Sequence, residues 1–244
     1  GIDTNVTSTV TVTLEWAVGT DVVDTEDTSV YLRVTPNDGS QDGSTVTSVA
    51  FSIDTKSPTA SSDLSFTSVN SSSLKFVFPT TDAIDNNFEE YKIFYDTSAT
   101  ITDADTAFTS TTDVNLASRT FNSQSNSQTL TGLVPNTVYY ANIFAYDSWG
   151  NVSNASEVST TTLAAIPGVP TATASTTVQI DLSWDAGSNI AGTVYEVYNV
   201  TSSTIVDTTT DTTYSVTGLD ANTSYQFKIR AENKGASGTN SEYS

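Results

Sequence analysis

The stretch LTGLVPNTVYYANIFAYDSWGNVS, residues 130–153, returns in altered form as VTGLDANTSYQFKIRAENKGAS, residues 216–237. In both copies a Leu is followed at alternate positions by Pro or Ala, then Thr, then Tyr. These positions are Leu133, Pro135, Thr137 and Tyr139 in one copy, and Leu219, Ala221, Thr223 and Tyr225 in the other. The two tyrosines are 86 residues apart (225 − 139). This period fits one small β-sandwich and is too long for a solenoid repeat.

Apolar and polar side chains alternate along several short segments, and helical periodicity is almost absent. Four such segments are SLKFVF (73–78), EYKIFY (90–95), VQIDLSW (178–184) and VYEVYN (194–199). Each is bounded by Ser, Asn, Asp, Gly or Pro, as half-buried antiparallel strands are. The pattern predicts an all-β protein built from tandem antiparallel β-sandwiches, arranged like beads on a string.

Prolines mark the predicted junctions, at Pro58 and again at Pro167 and Pro170. Proline fixes the backbone direction and blocks continuation of a strand, so domain boundaries are expected there. The predicted units are residues 1–56, 57–165 and 166–244.

The middle unit is longer than the last one. The offset between matching tyrosines is 104 for Tyr91 and Tyr195, and it falls to 86 for Tyr139 and Tyr225. The extra residues therefore lie between Tyr91 and Tyr139. We expect the polar segment 96–127 to form an elaborated loop or an added edge strand.

The pattern Leu-x-Pro-x-Thr-x-Tyr, preceded by a Trp-bearing strand and a proline-rich start, resembles the fibronectin type III domain. The resemblance covers residues 57–244, with Phe78 in the place of the usual strand Trp in the middle unit. It implies that Tyr139 and Tyr225 each form a tyrosine corner, in which the hydroxyl bonds to upstream backbone.

Residues 1–56 resemble the terminal part of an immunoglobulin-like domain of bacterial surface proteins. TVTVTLEWAVG (9–19) is predicted as the Trp strand, and residues 29–55 as the final hairpin. The segment NSEYS (240–244) stops where the last strand of the third unit is expected to start. Both ends are therefore expected to be cut from a longer array.

Composition excludes much of enzyme chemistry. The chain has no Cys, Met or His, which removes thiolate and imidazole nucleophiles and metal ligands. The net charge of −20 repels phosphate backbones and anionic lipid surfaces, so we expect no nucleic-acid partner and no membrane insertion in this segment. Ser and Thr make up about a third of the residues. These features favour an exported prokaryotic protein located outside the cell or at its surface.

Carboxylates at turns are the candidate metal ligands. Asp54 lies at the first junction, Asp82 and Asp85 precede a strand, and Asp147 follows one. No EF-hand spacing is present, so solvated turn carboxylates are the default interpretation and a Ca²⁺ site is the alternative. No cofactor is predicted firmly; under the alternative, Ca²⁺ would bind at an interdomain site that uses Asp54 and loop acids of the next unit.

Trp149 and the pair Glu89 and Glu90 are two further candidate sites. Trp149, in the turn YDSWGNVS, could cover the end of a sandwich or contact another molecule. Glu89 and Glu90 are adjacent on a strand and point to opposite faces, so they cannot flank one bond as a catalytic pair. No catalytic residues are predicted, and the chain is not expected to be an enzyme.

The predicted function is a non-catalytic structural or adhesive segment of a large exported protein, such as a surface layer, sheath, filament or adhesin stalk. Its expected partners are other copies of itself or a cell-surface polymer. The alternative is a spacer or carbohydrate-binding accessory module of a secreted polysaccharide-degrading enzyme. Fold alone does not decide between them.

Overall fold

The computed structural model describes residues 13, 15–78, 82–109, 111–112, 114–117, 127–235 and 240–244. The described part is almost entirely antiparallel β-structure, which confirms the predicted fold class. The one α-helix in these ranges is a single turn, α1 (Val18–Asp21). No helix in the described ranges is long and apolar enough to cross a membrane.

The first unit is a long two-stranded hairpin. Its strands are β1 (Glu26–Val30), β2 (Arg33–Val34), β3 (Val46–Thr47) and β4 (Phe51–Asp54). Strand β1 pairs with β4 and β2 with β3, and the bridge between Asn37 and Asp42 lies near the tip. The hairpin predicted over residues 29–55 is therefore present.

The strand predicted at residues 9–19 is not found in its described part. Residues 9–12 and 14 lie outside the described ranges, residues 15–17 are not in a strand, and α1 begins at Val18. Trp16 is 45% exposed, and its indole N–H donates to the carboxylate of Asp21 at 2.9 Å. A contact within this local turn thus replaces the sheet pairing that the alternation predicted.

The second unit is a β-sandwich. Its strands are β5 (Ser65–Thr67), β6 (Ser73–Val77), β7 (Phe88–Asp96), β8 (Thr106–Phe108), β9 (Ser127–Thr131), β10 (Val138–Asp147), β11 (Val152–Asn154) and β12 (Val158–Thr161). One sheet has the order β5-β6-β9, and the other has β8-β7-β10 with both β11 and β12 on β10. The predicted inward-facing residues are buried between the sheets, among them Leu74, Phe76, Tyr91 and Ile93.

The third unit repeats this plan with its own core. Its strands are β13 (Thr171–Thr176), β14 (Gln179–Ser183), β15 (Tyr195–Asn199), β16 (Thr204–Thr209), β17 (Thr213–Thr217) and β18 (Phe227–Ala231). The sheets have the orders β13-β14-β17 and β16-β15-β18. Leu182, Trp184, Tyr195 and Val197 are buried in the core, as the alternation predicts. Residues 241 and 244 hydrogen-bond to the backbone of β18.

The extra length of the second unit falls in two loops. Residues 97–105 join β7 to β8, where the third unit has only residues 200–203 between β15 and β16. Residues 109–126 join β8 to β9, where the third unit has only residues 210–212. Within the second loop, a 3₁₀ turn at Val114–Ala117 places Leu116 in the core, and residues 110, 113 and 118–126 lie outside the described ranges.

The first of these loops is fastened to the outer face of the sheet. Ile101 packs with Phe94 and Phe144 in a separate apolar cluster. One carboxylate oxygen of Glu157 accepts hydrogen bonds from the N–H groups of Thr100 and Ile101, at 2.8 and 2.7 Å. The loop therefore covers apolar side chains that strands β7 and β10 present on their outer face.

Candidate metal centre and the domain junctions

Three buried carboxylates converge where the hairpin meets the second unit. Asp54 ends β4, Asp85 lies in the loop before β7, and Asp147 ends β10. One oxygen from each of the three lies within 4.8 Å of the other two. Their side chains are 8%, 5% and 0% exposed, respectively, so the negative charges are crowded in a region from which water is largely excluded.

Backbone hydrogen bonds fix the orientation of each carboxylate. Oδ1 of Asp54, Asp85 and Asp147 accepts a hydrogen bond from the N–H two residues further along the chain, at 3.0, 2.6 and 2.8 Å. Asp147 Oδ1 also accepts the N–H of Asn151 at 2.9 Å. Local turns of this kind are typical of Asp in loops, and here they hold the carboxylates in place.

Asparagine amides bridge the cluster across the junction. Asn87 Nδ2 donates to Asp54 Oδ2 at 2.7 Å and to Glu26 at 3.2 Å. Asn151 Nδ2 donates to Asp147 Oδ2 at 2.8 Å and to the backbone carbonyl of Asp54 at 3.2 Å. The end of the hairpin is therefore bonded to two different loops of the second unit.

The clustering changes the acidity of Asp85. Burial raises the pKa of its carboxyl group above the ordinary value, because the charged form loses its hydration. The negative charges of Asp147, Asp54 and Glu26 raise this pKa further. The hydrogen bond from the N–H of Asn87 acts in the opposite direction and only partly offsets these effects.

The geometry of the cluster fits a hard divalent cation. Ligands held about 2.3–2.6 Å from one Ca²⁺ ion are separated from each other by at most about 5 Å, and the three Asp oxygens satisfy this limit. All donors are oxygens, which suits Ca²⁺ or Mg²⁺ and does not suit a soft metal. Glu26 lies opposite Asp54 in the hairpin register and shares the Asn87 amide with it, so it adds a further carboxylate beside the cluster.

The structure brings together three of the four aspartates named from the sequence. Asp82 is half-buried and lies outside the group. Glu26, Asn87 and Asn151 complete the surroundings of the cluster, and the sequence pattern indicates none of the three. Their roles depend on how the hairpin docks on the second unit, and no local motif encodes that docking. The signal that could have found Glu26 is its register opposite Asp54.

The two repeated tyrosines have the same local geometry. The Tyr139 hydroxyl accepts a hydrogen bond from the N–H of Val134 at 3.1 Å, and the Tyr225 hydroxyl accepts one from the N–H of Asp220 at 2.9 Å. In each case the donor lies five residues upstream. Tyr139 is buried, whereas Tyr225 is half-buried.

Trp149 lies in the turn between β10 and β11. Its side chain is 51% exposed, and its backbone N–H is the group that donates to Asp147. The turn is thus fixed by the carboxylate cluster while the indole ring faces solvent. The ring is available for contact with another molecule.

The junction between the second and third units is also held by specific bonds. Asn136 of the second unit is 2% exposed, and its amide nitrogen donates to Thr193 Oγ1 and to the carbonyl of Glu232, both at 3.1 Å. Its amide oxygen accepts the N–H of Lys234 at 2.6 Å. Gly235 packs so closely on Thr161 that an added Cβ would lie 3.0 Å from the Thr161 Cβ.

The connecting segment is tied to the third unit. The N–H of Ala164 donates to Asn233 Oδ1 at 2.5 Å, and that of Ala165 donates to Asn189 Oδ1 at 2.8 Å. Asn189 Nδ2 returns a hydrogen bond to the Ala165 carbonyl at 3.0 Å. Residues that could have formed a free linker are thus part of the domain interface.

Two sandwiches with the same strand plan, joined end to end through an ordered interface, define a tandem β-sandwich module protein. The family model described as "Fibronectin type III domain" matches residues 56–162 and 165–244, which is most of the chain. The chain belongs to the fibronectin type III family.

Three curated relatives share part of this sequence. Chitinase A1 of Niallia circulans is 42% identical over 115 residues, which cover 43% of this chain and 16% of that protein. Exoglucanase B of Cellulomonas fimi is 37% identical over 115 residues, covering 41% and 10%. Endoglucanase B of Cellulomonas fimi is 37% identical over 120 residues, covering 43% and 11%. This chain therefore matches only a small part of each relative.

A two-domain fibronectin type III segment from chicken tenascin is among the similar solved structures. It has 15% sequence identity and a TM-score of 0.47, over 77% of this chain and 95% of that segment.

Proposed function

We propose that this chain is a non-catalytic spacer within a secreted polysaccharide-degrading enzyme. The observation that carries the proposal is the 42% identity to part of a chitinase, joined by 37% identity to parts of two glucanases. Chitin and glucans are polymers too large to enter a cell, so an enzyme that cleaves them meets them outside it. The proposed location is therefore extracellular, and the proposal follows the alternative function that the sequence left open.

The ordered junctions suit a spacer. Domains in one chain ordinarily move relative to each other unless the interface between them is fixed. Here the buried amide of Asn136 spans one junction, and the amides of Asn87 and Asn151 span the other. A chain of units held in this way keeps its ends apart, so domains attached at the two ends would act at a set distance.

A divalent cation at the first junction is part of the proposal. Ca²⁺ bound by Asp54, Asp85 and Asp147 would neutralise the charge that the docked hairpin brings together. Two of the ligands belong to the second unit and one to the hairpin. The ion would therefore stabilise the docked arrangement more than either part alone.

A structural or adhesive segment of a surface protein is the second candidate. It is favoured by apolar side chains exposed on the hairpin, including Tyr31, Leu32 and Val46, which are 56%, 47% and 68% exposed, and by the exposed ring of Trp149. Exposed apolar groups that lie together often mark contact surfaces. Its proposed partners are other copies of the chain or a cell-surface polymer.

The test uses the natural full-length protein with and without this segment. If the segment is a spacer, its deletion lowers activity on an insoluble polysaccharide and leaves activity on a soluble oligosaccharide unchanged, because only the first depends on the reach between domains. Equal losses on both substrates would contradict the proposal. A full-length protein that lacks a catalytic domain and forms filaments or sheets would establish the second candidate instead.

A further inference from the structure

Thr162 lies directly after the last strand of the second unit, and its side chain is fully buried. Its hydroxyl donates a hydrogen bond to the carbonyl of Val134 at 2.7 Å, and the carbonyl of Thr137 is a second, longer acceptor at 3.2 Å. The same hydroxyl oxygen accepts the N–H of Thr137 at 2.9 Å. One hydroxyl therefore joins the end of β12 to both sides of the loop that carries Asn136.

Backbone hydrogen bonds continue this connection into the linker. The N–H of Thr162 donates to the carbonyl of Thr137 at 2.9 Å, and the carbonyl of Leu163 accepts the N–H of Asn136 at 3.1 Å. The N–H of Leu163 donates to the carbonyl of Asn70 at 3.1 Å. The first two residues after β12 are therefore fixed to the second unit, although they belong to no strand.

The loop that carries Asn136 is held from two directions through Val134. The N–H of Val134 donates to the Tyr139 hydroxyl, and its carbonyl accepts the hydroxyl of Thr162. After this residue Asn136 takes a left-handed turn, with φ of 57°, from which its amide reaches the third unit. Because Asn136 is buried, the position of its amide follows the backbone of the loop, which Thr162 and Tyr139 fix.

Two connections run from the second unit to the third. The covalent connection passes through Leu163 to Ala164, whose N–H donates to the side chain of Asn233 in the third unit. The noncovalent connection passes through the amide of Asn136. Thr162 lies where both connections begin, because it directly precedes Leu163 and bonds to the loop of Asn136.

We infer that Thr162 is a positioning residue that sets the angle between the second and third units. Its hydroxyl fixes the direction in which the chain leaves β12 and, through the same contacts, the direction in which Asn136 presents its amide. The two connections to the third unit are therefore held in one arrangement. A fixed angle gives a spacer its fixed length, so the inference rests on the proposed function for its purpose, but the contacts that carry it lie within the chain.

The experiment removes the hydroxyl from residues 1–244 without changing the shape of the side chain. Thr162→Val leaves the carbonyl of Val134 and the N–H of Thr137 without this partner, whereas Thr162→Ser keeps a hydroxyl in place. Ile93→Val is the control for stability alone. It shortens a fully buried side chain in the core of the second unit, on a strand that does not bond to the loop.

Two measurements report on the junction. One is hydrogen exchange at the N–H of Lys234, which bonds to the amide oxygen of Asn136. The other is the distance between spin labels at Ser65→Cys and Thr208→Cys, which are exposed positions on the second and third units. The free energy of unfolding of each variant is measured alongside, because a purely stabilising role would change this quantity and leave the distance distribution as it is.

We expect Thr162→Val to accelerate exchange at Lys234 by about tenfold or more, as the loss of a hydrogen-bond partner from a buried group would, and to broaden the distance distribution. Thr162→Ser should stay close to the parent in both measurements, and Ile93→Val should lower stability while leaving both unchanged. If Thr162→Val does not fold, Thr162→Cys replaces it in the exchange measurement and should also accelerate exchange, because a thiol is only a weak donor and acceptor.

Exchange and distances that match the parent after the hydroxyl is removed would overturn the inference, and so would equal broadening in Ile93→Val. Neither measurement depends on enzyme activity. The inference can therefore fail while the spacer function holds, and the deletion test on insoluble polysaccharide can contradict the spacer function while the role of Thr162 holds.

Discussion

The side chain of Asn136 donates a hydrogen bond to the hydroxyl of Thr193 at 3.1 Å, and both residues are buried although they belong to different β-sandwiches. A buried amide whose hydrogen bonds are all made destabilises the folded protein little. If the amide is removed, its former partners stay buried without hydrogen bonds, which destabilises the fold. The orientation of the third unit on the second therefore depends in part on this side chain, which occupies a left-handed turn.

Asn136→Gly should loosen this junction without disturbing either core. Glycine accepts the φ of 57°, so the turn is retained while about 1–3 kcal/mol of interaction with the third unit is lost. Hydrogen exchange at the N–H of Lys234, which bonds to the Asn136 amide oxygen, should become faster. The matched control is Asn222→Gly in the third unit, where Asn222 has the same left-handed backbone with φ of 60°, and it should leave this exchange unchanged. If exchange at Lys234 is the same in all three proteins, Asn136 does not hold the junction.

The two tyrosines of the repeated motif should differ in their contribution to stability. Tyr139→Phe leaves the N–H of Val134 without its partner in a partly buried region, at a cost of about 1–3 kcal/mol in the free energy of unfolding. Tyr225→Phe affects a bond in an exposed region, where water can replace the hydroxyl, and should cost less than about 1 kcal/mol. Denaturant unfolding of both variants measures whether Tyr139→Phe loses more stability than Tyr225→Phe. Equal midpoints for Tyr139→Phe and the parent would contradict the tyrosine-corner role.

Calcium should raise the unfolding temperature of the hairpin and second unit, and a chelator should reverse the rise. A ligand that binds only the folded state stabilises it by about 2.7 kcal/mol at a concentration 100-fold above its Kd. Asp147→Asn should abolish the response, because Asp147 is fully buried within the cluster. Asp82→Asn should preserve it. A melting curve that is the same in millimolar Ca²⁺ and in chelator would leave the cluster as a purely structural feature.

The pH dependence of stability without metal should reflect Asp85. Its pKa is raised in the folded state, so the folded protein holds this proton more tightly than the unfolded chain does. The contribution of Asp85 therefore favours folding at low pH and is lost as the pH rises from the unfolded-state value through the higher folded-state value. Asp85→Asn should remove this loss. Measured in chelator, the stability of the variant relative to the parent should increase with pH across that window and then level off. A constant difference would contradict the raised pKa.

The sandwich strands are predicted well because the alternation that identifies each strand lies within a short segment of sequence. Alternation over residues 73–78 places Leu74 and Phe76 on one face, and both are buried. The same alternation fails at Trp16, where a bond to Asp21 favours a turn. A periodic pattern predicts which face of a strand is apolar, but it does not predict whether a neighbouring strand is present to pair with it.

The junctions could be predicted only in part. The aspartates were visible as oxygen donors at turns, and three of them converge because distant segments end at the same place. The position of Glu26 and the amide bridges of Asn87 and Asn151 depend on the docking of one unit on another. The role of Asn136 was hidden for the same reason, since its motif alone gives only a left-handed turn.

The two sandwiches are proposed to keep a fixed spacing, as a spacer requires. This claim is tested most directly by the distance between spin labels attached at Ser65→Cys in β5 and Thr208→Cys in β16, both exposed positions in a chain that has no other Cys. Pulsed electron paramagnetic resonance should give one narrow distance distribution, and Asn136→Gly should broaden it. A distribution as broad in the parent as in the variant, of the kind that two units on a flexible tether produce, would contradict the claim.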